Sequence, residues 1–215
     1  MNKESQLKQL GLKRRQTQWP NYANIGDFHD GAYDCEWVSP WTKSASNIDA
    51  KFMLIAQDWA GADYLSAPLR ADVARLGYDP YLETNINLQR LLKTYLNVAF
   101  EECFATNLFP FIKQGSMNKA IPACDYRLAA RDYLFPQIQI LQPKVLICLG
   151  LPAYRFTSEL FGVKPEARIG DAIAHPLQIG KMQVFAVTHT GRLGTNNRGR
   201  DQVERDWEYL ANRIK

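Results

Sequence analysis

Lys51-Phe52-Met53-Leu54-Ile55-Ala56-Gln57-Asp58 is apolar without interruption from Phe52 to Ala56, then ends in an amide and a carboxylate. A short continuous apolar run of this kind predicts a strand buried on both faces, here over residues 51–57. Similar runs predict strands at 102–107, Lys144 to Leu149 and Gln183 to Thr188. Helical patterns lie between and after them, at 86–98, 124–141, 152–161 and Gln202 to Ile214. In the first of these, Leu88, Leu91, Leu92 and Tyr95 form one stripe; in the second, Pro136 predicts a break or kink. Buried strands alternating with helices predict an α/β fold, a three-layer α/β/α sandwich with a four-stranded parallel sheet.

The remainder of the chain is consistent with one unit built on that sheet. At 215 residues, 46% hydrophobic and 22% charged, it can bury one substantial core. We expect a single domain over 1–215, with residues 1–50 forming a helix and an aromatic arm packed on it. Leu7 and Leu10 lie at helical spacing in 4–16, and the run ends at Trp19-Pro20. Tyr22, Phe28, Tyr33, Trp37 and Trp41 are too many aromatics for a free linker.

Composition also limits function. No apolar run reaches the ~18 residues of a membrane span, and Met1 to Gln9 lacks the apolar stretch of a signal peptide. The expected setting is the cytoplasm, without a membrane partner and as a monomer. Cys35, Cys103, Cys124 and Cys148 form no CxxC pair, so no metal site or other cofactor is expected and the thiols are read as reduced and structural. His29, near Asp27 and Asp30, is assigned to turn chemistry. The net charge of +4 permits a polyanionic partner without requiring one. Lys13, Arg14 and Arg15 are taken as a solvated helix face.

Ligands of open parallel sheets bind in the crevice at the carboxyl ends of the strands. Gln57-Asp58, Thr106-Asn107 and His189 all fall at predicted strand ends, so an imidazole, a carboxylate and amides should meet there. Gly61, after Trp59-Ala60, suggests a close backbone approach or an unusual dihedral. His189 opens Thr190-Gly191-Arg192-Leu193-Gly194-Thr195-Asn196-Asn197-Arg198-Gly199-Arg200, which is expected to be a flexible basic loop. Its lone leucine, flanked by glycines and arginines, suits an apolar wedge of the kind that unstacks DNA bases. His175-Pro176, by contrast, precedes what is expected to be a turn into the last strand.

Together these motifs resemble the uracil-DNA glycosylase superfamily. Its best-known members carry Gly-Gln-Asp-Pro-Tyr-His after the first strand, a base-reading asparagine after the second and His-Pro-Ser-Pro-Leu after the last. Here the matching positions are Ala56-Gln57-Asp58-Trp59-Ala60-Gly61, Asn107 and His189-Thr190-Gly191-Arg192-Leu193, in the same order across 51–214. The resemblance implies that Asp58 and His189 are catalytic. Asp58 would orient water and stabilise a cationic sugar, and His189 would hydrogen-bond the departing base. It implies that Asn107 reads the flipped base with the backbone around Gln57, and that Arg192, Leu193, Arg198 and Arg200 meet DNA. Trp59 and Ala60 would shape the base pocket. Tyr81 is the expected stacking aromatic, with Phe109 and Phe111 as rivals, and Thr84-Asn85 the expected cap of the 86–98 helix.

Two departures bear on substrate. The prolines and serine of the third motif are absent. Ala60 stands where the best-known members have a tyrosine that blocks substituents at pyrimidine C5; its small side chain opens the pocket to modified bases unless Trp59 closes the same space. Two other readings stay open: a catalytically silent nucleic-acid binder on this fold, and a small-molecule hydrolase or nucleotide binder of doubly wound topology.

Overall fold

The structure, a computed structural model, describes residues 1–214. Strands β1 (Phe52–Asp58), β2 (Phe104–Phe109), β3 (Val145–Leu149), β4 (Leu177–Ile179) and β5 (Met182–Val187) form one sheet in the order β2-β1-β3-β5-β4. The first, second, third and fifth are mutually parallel, as expected. The sheet has five strands rather than four, because Leu177–Ile179 adds an antiparallel edge. The expected turn after His175-Pro176 is therefore a strand, and the turn of its hairpin falls one step later, at Gly180 with φ +58°. Three residues are too few to show the alternation by which a strand is recognised in sequence.

The longer helices are α1 (Lys3–Gln16), α2 (Glu83–Leu91), α3 (Ala123–Ala129), α4 (Phe135–Leu141), α5 (Leu151–Leu160), α6 (Arg192–Arg198) and α7 (Arg200–Arg213). Successive strand residues point to opposite faces. Met53, Ile55, Leu146, Cys148, Val184 and Ala186 share a core with Tyr126 of α3, Ile138 of α4 and Tyr154 of α5. Phe52, Leu54, Ala56, Ile147 and Phe185 pack on the other side with Leu88 of α2 and Trp207 of α7. Helices thus cover both faces, giving the α/β/α sandwich. Pro136 does not break its segment; the backbone widens into a π turn over Ala130–Leu134, and Pro136 falls in the first turn of α4, where its missing N–H costs nothing.

The arm is held by specific contacts. Tyr22–Ala23 pairs antiparallel with Ile112–Lys113, and Tyr33 and Trp41 are buried. Arg14 is not part of a solvated face. It is fully buried, ion-paired with Asp34 and bonded to the carbonyls of Cys35 and Trp37.

Candidate active site

β1 delivers Asp58 and β5 leads directly into His189 at the same edge of the sheet. Both line a cavity of about 170 Å³ with Ala56, Trp59, Ala60, Tyr64, Val73, Tyr78, Leu82 and Met117 among its walls. An apolar void of roughly 150 Å³ accepts a benzene ring, so a single heterocycle fits this scale. The larger recesses beside Trp37 and beside Trp19 are formed by α1 and the arm and contain none of these residues.

Asp58 is nearly sealed from solvent, and Lys113 Nζ is in ion-pair contact with its Oδ2. Burial pushes the Asp58 carboxyl above its usual range, and the Lys113 ammonium opposes that push without cancelling it. His189 is exposed, lining the cavity on one side and a neighbouring recess on the other. Its Nδ1 accepts a 3.1 Å hydrogen bond from the Gly191 N–H. A proton on Nδ1 would oppose that donor, so the ring is held neutral with its proton on Nε2. Burial depresses the imidazole pKa in the same direction, and the nearby Asp58 carboxylate offsets part of it.

The turn after β5 is built for close approach. A Cβ at Gly194 would lie 2.1 Å from the His189 carbonyl oxygen, so glycine lets the first turn of α6 sit on the His189 backbone. Gly61 acts likewise: its φ of −104° is ordinary, but a Cβ there would lie 2.6 Å from the Gly115 carbonyl oxygen. Thr190 Oγ1 donates to the Thr84 carbonyl and Asn87 Nδ2 donates to the Thr190 carbonyl, tying this turn to α2. Thr84 and Asn85 lie inside the first turn of α2, not at its cap, and Asn85 Nδ2 donates to the Asp79 carbonyl.

Asn107 pairs with Ala56 in the parallel register, so it shares the face that bears the cavity. It is not among the residues that line the cavity and is fully buried, with Oδ1 held by Ser39 Oγ and Nδ2 without a partner among the described residues. Trp59 and Ala60 both line the cavity; Trp59 Nε1 donates to the Gly77 carbonyl at 2.8 Å, which fixes the indole against one wall. The Gln57 side chain leaves the opposite side of β1, bonds to Tyr126, and lines a neighbouring recess with Gly150, Thr188, His189 and Arg198. Tyr81 is outside the cavity: it is 77% exposed, under the Arg70 guanidinium, and Tyr64 and Tyr78 supply the aromatic walls instead. Its rivals Phe109 and Phe111 are buried in the core around Trp19.

The basic segment after His189 is helical over Arg192–Arg198, not a flexible loop. Leu193 projects from its first turn, 73% exposed, and Arg192 and Arg200 are exposed as well. Arg198 is tied in a fork to buried Asp206, at 2.7 and 2.9 Å. Lys113 is the residue that sequence reasoning missed. Its signal was a lysine closing the apolar run Phe109-Pro110-Phe111-Ile112, where a charge needs a partner.

A profile of the Uracil DNA glycosylase superfamily matches residues 65–211, most of the chain. The matched stretch includes Asn107 and His189 and begins beyond Asp58. No curated protein matches the chain.

Proposed function

Because the chain belongs to the uracil-DNA glycosylase superfamily, we propose that it is a monofunctional DNA glycosylase acting on uracil or a C5-modified pyrimidine. The base is extruded from the helix, its N-glycosidic bond is hydrolysed and an abasic site remains. The enzyme acts as a monomer in the cytoplasm. The observation that carries this reading is that Asp58 and His189 line one cavity of single-ring size at the ends of β1 and β5.

The chemistry follows from those two groups. As the C1′–N bond lengthens, positive charge grows on the sugar and negative charge on the base. The Asp58 carboxylate stabilises the first charge and orients water towards C1′; a carboxylate made more basic by burial is a better acceptor for that water's proton. His189 Nε2–H donates to the base oxygen, where the negative charge collects. A single placed donor of this kind contributes about 3–4 kcal/mol to a transition state in comparable sites. Asn107 Nδ2, buried without a partner, supplies the donor that reads the base edge. Leu193 fills the gap left in the stack, and Arg192 and Arg200 meet phosphates.

The test is abasic-site formation on labelled oligonucleotides carrying uracil, mismatched thymine or C5-substituted pyrimidines. Release of a base by the wild-type chain is expected. Salt-sensitive DNA binding with no base released would favour the silent binder.

A further inference from the structure

Lys113 is 2% exposed, and among the described residues its Nζ pairs with Asp58 Oδ2 and the Met117 carbonyl. It sits on the short strand paired with Tyr22–Ala23 and bridges to Gly61, next to the cavity wall that Met117 helps to form. We propose that Lys113 is a positioning residue for the reaction, holding the Asp58 carboxylate ionised and aimed at the substrate while anchoring the 115–117 turn at the cavity mouth. This rests on the glycosylase reading given above.

The surroundings of Asp58 leave Lys113 in that role alone. From the end of β5 it faces His189, which favours the ionised carboxylate when its ring is protonated but is not a fixed cation, because burial disfavours the protonated ring. From α3 it faces the Tyr126 hydroxyl, uncharged at neutral pH because burial pushes it upward. Asp79, which also lines the cavity, is ion-paired with Arg70. Lys113 is therefore the permanent cation in contact with the carboxylate. Without it, burial loses its largest opposing interaction and the acid form is favoured. An exposed pair would contribute little, whereas removing one partner of a buried pair has large consequences for the other.

The experiment compares wild type with Lys113→Gln, Lys113→Met and Lys113→Arg. Two readouts are taken: a carbon-13 NMR titration of the Asp58 carboxyl, and single-turnover release of uracil from an oligonucleotide across pH 5.5 to 9. The neutral variants should raise the Asp58 midpoint by about one pH unit or more, which is about tenfold in ionised fraction below the midpoint. Uracil release should fall by about that factor at pH 6 and recover as pH rises, with DNA affinity unchanged, and Lys113→Arg should retain the wild-type limb. An unmoved Asp58 midpoint and superimposable pH profiles in a folded neutral variant would overturn the proposal. A wild-type chain that releases no base while its Asp58 midpoint still depends on Lys113 would overturn the glycosylase reading and leave the pairing itself established.

Discussion

Ser39 Oγ donates a 2.6 Å hydrogen bond to Asn107 Oδ1, and the Asn107 Nδ2 that this bond orients has no partner of its own. Both residues are buried. An unsatisfied buried donor costs about 1–3 kcal/mol, so it is retained where it serves a ligand. The bond also joins the aromatic arm to β2, because Ser39 belongs to the former and Asn107 to the latter.

Asn107→Leu should therefore separate stability from function. The substitution removes the unpartnered Nδ2 but also the acceptor of the buried Ser39 hydroxyl, two effects of opposite sign, so we expect unfolding free energy to change by no more than about 1–3 kcal/mol. Base release should fall about a hundredfold or more. Chemical denaturation and single-turnover kinetics on the same preparation check both halves.

The neutral state of His189 sets the pH dependence. Its folded pKa lies below the ordinary value, so the imidazole is neutral at neutral pH, and that of Asp58 lies above its own, so the carboxyl takes up its proton at a higher pH than an exposed aspartate. The rate should fall on acidification, as Asp58 loses its charge and His189 gains one. His189→Ala should lower the rate by about 10²- to 10³-fold at neutral pH. A rate that rises as pH drops below 6.5 would mean that the imidazolium is the active form.

The arginines of the basic segment should divide into two groups. Arg192→Ala and Arg200→Ala should each weaken DNA binding and reduce the slope of log affinity against log salt by about one. Arg198→Ala should leave the slope unchanged and destabilise the chain, because its guanidinium already serves buried Asp206. Leu193→Ala should leave stability within about 0.5 kcal/mol and slow base release more from duplex than from single-stranded DNA, where no stack must be opened.

Ala60 tests breadth of substrate. Its side chain is buried at the cavity wall among Leu65, Val73 and Ile112. Ala60→Tyr should cost about 1–3 kcal/mol of stability through overpacking and lower the rate on C5-substituted bases more than on uracil. Relative rates on the two substrates, measured competitively in one tube, check this.

How far the sequence disclosed these features depended on the range of the interactions involved. The four parallel strands were legible because each is a continuous apolar run, and the convergence of Asp58 and His189 followed from the polarity change at two strand ends. The edge strand Leu177–Ile179 was too short to show a period. The Arg192–Arg198 helix was hidden by Gly194 and two asparagines, poor helix formers retained because Gly194 must let the backbone meet the His189 carbonyl. Tyr81 was placed at the pocket by its spacing after the first motif, yet Tyr78, three residues earlier, is the one that turns inward. Arg14 was read as part of a solvated face and Lys113 was passed over because their carboxylate partners, Asp34 and Asp58, lie 20 and 55 residues away in the chain.

The most direct measurement is quantitation of abasic sites formed on uracil-containing and C5-substituted oligonucleotides by the wild-type chain and by Asp58→Asn, under single-turnover conditions at neutral pH. The expected result is base release by the wild type and a loss of about a thousandfold or more in Asp58→Asn, with DNA affinity retained. Equal base release by the two would contradict a role for the Asp58 carboxylate at the reacting carbon.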